Sequence, residues 1–438
     1  MNEGIDFDLD IYKALKWLSG TVLDPSDFLC RMERSQEIYI ENSSAKSNFG
    51  KKFDQTWFGD DLAAAFFAQA KSLLDNRKSF EISTASNIIP WVKQLGKNID
   101  FLEGVVGASE RAKRMLENKR VYPDTALFEL IVAANYAEKG YYVEFLPEKK
   151  GLAKTPEFKC SLNGDDYFFV ECKRLQKSNY SLREESAHCL KARPVELRIL
   201  SKRMSVWIDV TYKREIFDIP EEYVINHLTH YYGKNYYWDD EYGTGFVKSI
   251  DLKPIKEDIE RNGSILANTK MARLIKKAPL YNDNYDVYVS GRADERDVRF
   301  ISKIKFASLL TWRCIGEVSY EKRSRHITST LAEIEQQISS YGLGIGHVAI
   351  DVDVQTDVAD KRREKNFDAI KKFEIKSKLV LLNIHYLVPR IDENRAWLVD
   401  ETREYFYANK LIEHVFPGVD IFPNAVRFDN DLPGWHQK

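Results

Sequence analysis

The sequence predicts an α/β protein in which a mixed sheet is flanked by helices and preceded by an α-helical region. Three observations favour this class. Apolar residues recur at helical spacing through residues 1 to about 120. From residue 121 the pattern changes to one helix followed by three short strands. Further along, a helix runs into a strand at residues 327–354, as in units that add a parallel strand to a sheet.

The composition is typical of a folded protein and argues against several classes of protein. Its 438 residues suffice for two or three domains, and 44% are hydrophobic and 30% charged. The five cysteines are scattered and form no Cys-x-x-Cys pair, which argues against a disulfide framework and a zinc ribbon. The acidic start does not resemble a signal peptide, and no apolar run approaches the roughly 20 residues that span a bilayer. We therefore expect a cytoplasmic protein with no membrane partner.

The N-terminal 120 residues form the first predicted domain. Helices are expected at Ile11–Leu18, Asp60–Leu74, Ile88–Leu95 and Asn98–Leu116, where apolar residues are three and four apart. The segment contains no catalytic constellation. It therefore fits either a module that contacts a protein partner or a second copy of the chain, or a purely structural cap.

The second domain, residues 121–438, begins with a helix predicted over Thr125–Lys139 after Asp124 as N-cap. Its interior is almost entirely apolar apart from Glu129. A strand is expected at Tyr141–Leu146, and Thr155–Arg174 fits two strands joined by a tight turn at Asn163-Gly164.

The second strand of this hairpin carries Glu171 and Lys173 among aromatic and apolar residues. Side chains two residues apart in a strand share one face, so both charges lie on the same side of the predicted sheet. Burying such groups without partners is costly, so this pair indicates a specific role.

Whether Glu157 shares the face of Glu171 depends on the hairpin register. The two side chains lie on the same face only if the residue numbers of two cross-strand partners add to an even number. This requires a loop with an odd number of residues, or a bulge. A three-residue loop ending at Gly164 satisfies this by pairing Ser161 with Asp165 and Glu157 with Phe169. A plain two-residue turn would place the carboxylates on opposite faces.

If Glu129, Glu157 and Glu171 converge, their carboxylates form an oxygen cage suited to Mg²⁺ or Mn²⁺. The backbone carbonyl of Cys172 is a further candidate ligand. Lys173 would then lie beside a metal-bound water, where its charge opposes the negative charge that develops on a phosphate under attack.

The order of these residues resembles the PD-(D/E)xK nuclease superfamily, which has the restriction-endonuclease-like fold. The resemblance covers about Asp124 to Arg174 and rests on Glu129 in the helix, Pro156-Glu157 and Glu171-Cys172-Lys173. It implies a magnesium- or manganese-dependent nuclease that hydrolyses phosphodiester bonds of DNA or, as a second choice, RNA. Bacterial or phage-defence nucleases provide an analogy for the layout.

The sequence departs from the resembled family at Glu157, where aspartate is usual. The extra methylene shifts the carboxylate. An alternative function therefore stays open, in which a catalytically degenerate relative binds nucleic acid or a partner protein.

Two helices compete as the crossover that returns to the sheet. One is Ile327–Tyr341, which carries Gln336 and Gln337 as candidates to touch substrate or a metal-bound water; the other is Leu182–Leu200, with an interruption expected at Pro194. The first choice makes residues of about 178–325 a large insertion.

A basic segment is the candidate nucleic-acid surface. Residues 191–214 hold seven basic and two acidic residues, a local charge of +5. An ordinary solvated helix face explains the same pattern. The net charge of −2 does not exclude nucleic acid, because binding needs only a basic face. The residues expected to contact phosphates are Lys191, Arg193, Arg198, Lys202 and Arg203.

Overall fold

The computed structural model is an α/β protein with two mixed sheets and flanking helices, which confirms the predicted class. It describes residues 8–22, 24–43, 58–75, 79–147, 155–162, 164, 166–266, 269–278, 284–297, 299–392, 395–408, 416, 418–422 and 432–436. Within these ranges, no helix has both the length and the apolar character needed to cross a membrane.

The helices follow in chain order. They are α1 (Leu9–Trp17), α2 (Pro25–Ser43), α3 (Leu62–Asp75), α4 (Ile82–Lys97), α5 (Ile99–Leu102), α6 (Ala108–Glu117), α7 (Asp124–Glu138), α8 (Asn179–Lys202), α9 (Tyr223–Thr229), α10 (Lys253–Asn262), α11 (Thr269–Lys276), α12 (Glu317–Arg323), α13 (Thr328–Ile338) and α14 (Thr356–Lys372).

The strands are β1 (Tyr142–Phe145), β2 (Phe158–Ser161), β3 (Tyr167–Leu175), β4 (Val206–Tyr212), β5 (Tyr236–Asp239), β6 (Gly243–Ser249), β7 (Ile265–Leu266), β8 (Asn284–Ala293), β9 (Phe300–Cys314), β10 (Leu343–Asp351), β11 (Leu379–Asp392) and β12 (Arg395–Tyr407). The first sheet has the order β1-β2-β3-β10-β11-β12. Strands β3, β10 and β11 run parallel, and the remaining neighbours in this sheet pair antiparallel.

The second sheet has the order β5-β6-β4-β9-β7, with β8 also paired to β9. All of its strands lie in the chain between β3 and α13. One side packs Val195 and Ile199 of α8 against Val210 of β4, and a separate cluster joins Ile255 of α10 to Leu309 of β9. This part of the chain therefore has hydrophobic cores of its own.

The two faces of the first sheet are covered differently. One hydrophobic cluster joins Ile11 and Phe66 of the N-terminal helices to Leu127 of α7 and Val170 of β3. Another packs Ile334 of α13 on the opposite face, among residues of β10 and β11. The domain boundary at residue 120 stays a prediction, although the helices before it share a core with the sheet.

The helix predicted over Asn98–Leu116 is wrong, because the chain breaks between α5 and α6. Val106 instead pairs with the edge of β1: its N–H donates to the Val143 carbonyl at 3.0 Å, and its carbonyl accepts from the Phe145 N–H at 2.9 Å. Gly107 then adopts a φ of +83°, which glycine tolerates best. This β-type pairing replaces helical hydrogen bonds.

Helix α8 runs through Pro194, so the predicted interruption is also wrong. Proline removes one backbone hydrogen bond, while Val195 and Ile199 of the same helix pack into the hydrophobic cluster of the second sheet and hold the helix in place. The helix leads into β4 of the second sheet. By contrast, α13 leads into β10, the parallel neighbour of β3, and so takes the crossover position.

The hairpin has the even register that a shared face requires, through a longer loop than predicted. Ser161 pairs with Tyr167 and Phe158 with Val170, so five residues, 162–166, connect the strands. The expected pairing of Ser161 with Asp165 is wrong, and Asp165 itself lies outside the described residues. Glu157 directly precedes β2, and its N–H donates to the Val170 carbonyl at 3.0 Å.

Candidate active site

Helix α7 supplies the first carboxylate of the site. Its buried positions hold almost exclusively apolar side chains, yet Glu129 is buried with them. Asp124 is the first residue of the helix and not its N-cap, a position that Pro123 occupies. The Asp124 carboxylate instead accepts a hydrogen bond from Gln176 Nε2 at 2.9 Å, which ties the start of α7 to the end of β3.

Strand β3 supplies Glu171 and Lys173 on the face that α13 covers. The Lys173 Nζ lies 2.6 Å from Glu171 Oε1, and Glu171 is fully buried. Among the residues that the structure describes, no donor is well aligned with either Glu171 oxygen, although the side chains of Lys173 and Gln337 lie close enough to favour the charged carboxylate. Cys172 is also buried, in the hydrophobic cluster on the opposite face, as strand alternation requires.

The environment of Glu171 favours its neutral form. Burial raises its pKa to about 7, the attraction of Lys173 opposes that rise, and the nearby Glu129 carboxylate adds to it. The same ion pair raises the pKa of Lys173, although burial alone would lower it. Lys173 therefore stays charged beside a carboxyl that titrates near neutral pH.

Glu157 completes the predicted set of carboxylates. Burial raises its pKa well above the usual range, and repulsion from Glu129 and Glu171 raises it further. Such interactions require the three carboxyl groups to lie near one another. Glu129, Glu157, Glu171 and Lys173 therefore lie near enough for their charges to interact.

Helix α13 contributes Gln337, whereas Gln336 is exposed and lies away from the cluster. The Gln337 Oε1 accepts from Lys173 Nζ at 2.7 Å, and its Nε2 donates to the Thr155 carbonyl at 3.0 Å. This amide therefore ties the Lys173 ammonium to the segment just before β2. Of the two glutamines proposed from sequence, only Gln337 reaches the site.

Arg111 of α6 is a member of the cluster that sequence reasoning missed. Its Nε donates to Glu129 Oε2 at 2.5 Å, and its side chain is 15% exposed. The sequence held one indirect clue: Gly104 and Gly107 flank two β-branched valines, a pattern that favours a break in the predicted helix. That break turns α6 toward α7.

The donor set suits a hard divalent cation in its chemistry. Glu129, Glu157 and Glu171 supply carboxylate oxygens, which are the ligands that such a cation prefers. In the part of the chain that the structure describes, however, no three His, Cys, Asp or Glu side chains are already arranged to hold a metal ion. Arg111 and Lys173 pair with Glu129 and Glu171 instead, which leaves one net negative charge when all five groups are ionised.

The predicted phosphate-binding residues divide into two groups. Arg193, Arg198, Lys202 and Arg203 are exposed on α8 and at its C-terminal end. Lys191 is only 3% exposed, and burial lowers its pKa. The predicted phosphate contact of Lys191 is therefore wrong, because helical periodicity places this residue on the buried side of α8.

A second buried polar network lies on the other face of the first sheet. His347 Nε2 lies 3.0 Å from Tyr136 Oη and 3.3 Å from Asn383 Nδ2, and His347 Nδ1 lies 3.1 Å from His385 Nε2. His385 Nδ1 lies 2.6 Å from Glu401 Oε1. Because Asn383 Nδ2 can only donate, His347 donates through Nδ1 to His385, which donates to Glu401.

Burial lowers the pKa of His347 well below its usual value, and repulsion from His385 lowers it further, which agrees with a neutral ring. Sequence analysis gave this network no role, because it joins residues from α7, β10, β11 and β12.

Comparison with known proteins returned no match to a family model, to a curated protein or to a solved structure. The fold defines the class as an α/β protein with mixed sheets. A fold of this kind does not determine an activity, so the charged groups around Glu171 are the guide to function.

Proposed function

We propose that the protein is a divalent-metal-dependent nuclease that hydrolyses phosphodiester bonds, with DNA as the first choice of substrate and RNA as the second. The observation that carries the proposal is that Glu129, Glu157, Glu171 and Lys173 lie near enough to shift one another's pKa, with Lys173 Nζ 2.6 Å from Glu171 Oε1. These residues come from helix α7, from strand β3 and from the position just before β2, and their sequence order alone suggested a common site.

The strand order supports a restriction-endonuclease-like fold for the first sheet. Helix α7, the antiparallel strands β1, β2 and β3, the helix α13 and the parallel strand β10 follow in the order that the resemblance implies. The second sheet then lies within the proposed insertion at about 178–325. Exposed Arg193, Arg198, Lys202 and Arg203 of that insertion are proposed to hold the nucleic-acid backbone.

The proposed mechanism assigns a role to each charged group. Glu129, Glu157 and Glu171 would hold Mg²⁺ or Mn²⁺, with the Cys172 carbonyl as a further candidate ligand. When bound, the ion would supply a water of lowered pKa and stabilise negative charge on the phosphate. Lys173, fixed by Glu171 and Gln337, would orient the attacking water and oppose the charge of the transition state.

The raised pKa of Glu171 links metal binding to pH. A carboxyl with a pKa of about 7 is partly protonated at neutral pH and has to lose its proton before it ligates a metal. We therefore expect metal affinity and cleavage to rise between about pH 6 and 8.

A second candidate function is nucleic-acid binding by a catalytically degenerate relative. It is favoured by the pairing of Glu129 with Arg111 and of Glu171 with Lys173, which occupies carboxylate oxygens that a metal would use. Glu157 also favours this candidate, because the resembled family usually has the shorter aspartate at that position.

Cleavage assays separate the two candidates. Supercoiled plasmid, single-stranded DNA and RNA are incubated with Mg²⁺ or Mn²⁺ and the wild type, Lys173→Ala or Glu171→Ala. We expect metal-dependent cleavage that falls about 10²- to 10³-fold in each variant. Lys97→Ala and Glu103→Ala remove exposed charges elsewhere and serve as matched controls with wild-type activity.

The two functions predict different failures in this assay. Nucleic-acid binding that survives both site substitutions, with no cleavage by the wild type under either metal, favours the degenerate relative. No affinity for DNA or RNA at low salt rejects both functions.

A further inference from the structure

We infer that Arg111 is an internal counter-ion of the metal site. It forms an ion pair with Glu129 in the metal-free protein and is displaced from this carboxylate when a divalent ion binds. The inference rests on the proposed function, because it concerns the same carboxylates. It adds a regulatory role for the N-terminal helical region, which sequence analysis left without any chemistry.

The contact itself is a direct ion pair. Arg111 Nε lies 2.5 Å from Glu129 Oε2, and the side chains are 15% and 3% exposed respectively. A buried carboxylate needs a nearby positive charge or hydrogen-bond donors to stay ionised. Arg111 supplies both to the Glu129 carboxylate.

The position of Arg111 is fixed by the fold. Val106 pairs with the edge of β1 just before α6, and Gly107 carries a φ of +83°. A Cβ at Gly107 would lie 3.1 Å from Phe145 Cβ, so this turn packs tightly on the strand. Arg111 follows one turn later and therefore reaches α7 from a helix anchored to the first sheet.

The charge of Arg111 acts on more than one carboxylate. Arg111 also lies near enough to Glu157 to attract its carboxylate. A divalent ion that enters among these groups meets like charge from Arg111 and Lys173. Lys173 is held by both Gln337 and Glu171, which fixes it in place. Arg111 is the group that pairs directly with Glu129, so a metal ion that binds Glu129 has to displace Arg111.

Removing the Arg111 charge should therefore tighten metal binding. We expect Arg111→Gln and Arg111→Met to bind Mn²⁺ about tenfold more tightly than the wild type in calorimetric titrations of EDTA-treated protein, because less repulsion has to be overcome. Arg111→Met preserves the apolar stem and provides a second neutral variant should Arg111→Gln fold poorly. Lys113→Gln removes an exposed positive charge from the same helix and should keep wild-type affinity.

Thermal unfolding provides a readout that needs no activity. Without metal, Arg111→Met should unfold at a lower temperature than the wild type, because Glu129 loses its counter-ion. Saturating Mn²⁺ should raise the unfolding temperature of the variant by more than that of the wild type. A purely structural role of Arg111 predicts the same deficit with and without the ion.

The outcomes distinguish failure of the inference from failure of the function. If the wild type binds Mn²⁺ and both neutral variants bind it equally or more weakly, Arg111 is not a competitor and the inference is overturned, while the metal site stands. If neither the wild type nor the variants bind Mn²⁺ at millimolar concentration, both are overturned.

Discussion

Glu171 on β3 and Glu401 on β12 are both buried carboxylates of the first sheet, and their surroundings are opposite. Glu401 accepts hydrogen bonds from His385 at 2.6 Å, from the Ile421 N–H at 2.9 Å and from the Phe422 N–H at 2.8 Å. Glu171 lies 2.6 Å from Lys173 and near the Gln337 side chain, but it accepts no backbone N–H among the described residues.

The pKa shifts follow this difference. Burial alone would raise the pKa of Glu401, but the hydrogen bond and charge of His385 and the two backbone N–H groups hold it below the usual range. Burial raises the pKa of Glu171 to about 7. The sheet therefore stabilises one anion fully and leaves the other incompletely solvated. An incompletely satisfied buried carboxylate marks a functional site better than burial does.

Substitution of each carboxylate by its amide gives the largest expected contrast. Glu401→Gln turns an NH₂ group toward donors that need an acceptor, so we expect a loss of about 3 kcal/mol in the free energy of unfolding. Glu171→Gln removes a poorly satisfied buried charge but also the counter-ion of Lys173, so we expect a clearly smaller loss in metal-free protein. Urea denaturation in EDTA measures both. Equal losses in the two variants would reject the contrast.

The pH dependence of stability should have opposite signs for the two groups. Glu171 has a raised folded-state pKa, so its contribution is present below about pH 4.5 and is lost as pH rises toward 7. Across that window the loss reaches about 3 kcal/mol, at roughly 1.4 kcal/mol for each pH unit. Glu401 has a lowered pKa, so its contribution is present above the ordinary carboxyl pKa and is lost as pH falls below it.

Urea denaturation of the wild type and each amide variant at several pH values, all in EDTA, tests these signs. The free energy of unfolding of the wild type should fall relative to that of Glu171→Gln as pH rises from 4.5 to 7. The difference for Glu401→Gln should shrink as pH falls below 4.5. A Glu171 difference that is flat over its window would contradict the raised pKa.

The sequence predicted those parts of the site that depend on local spacing. Glu171 and Lys173 share a face because a strand alternates every two residues, and the even register with β2 follows from an odd loop length. The sequence left the parity open, and the three-residue loop that satisfied it was two residues shorter than the connection observed. Glu129 was identifiable because it interrupts an apolar helix.

The parts that the sequence could not predict join residues far apart in the chain. Arg111 reaches Glu129 only because Val106 leaves the helix to pair with β1, and Glu401 meets Ile421 and Phe422 after a long connection. No periodicity encodes such contacts. Helical phase could have excluded Lys191, because it shares the buried side of α8 with His188, Val195 and Ile199.

The smallest effect is expected at Gln337, which supports Lys173 without bearing charge. Gln337→Leu removes the acceptor for Lys173 Nζ and the donor to the Thr155 carbonyl, at a cost of about 1 kcal/mol in stability. We expect kcat for nucleic-acid cleavage to fall about tenfold with KM unchanged, because the ammonium is less well positioned in the transition state. Gln336→Leu, at the exposed neighbouring position, is the matched control and should behave as wild type. An equal effect of both substitutions, or a change in KM alone, would show that Gln337 does not position Lys173.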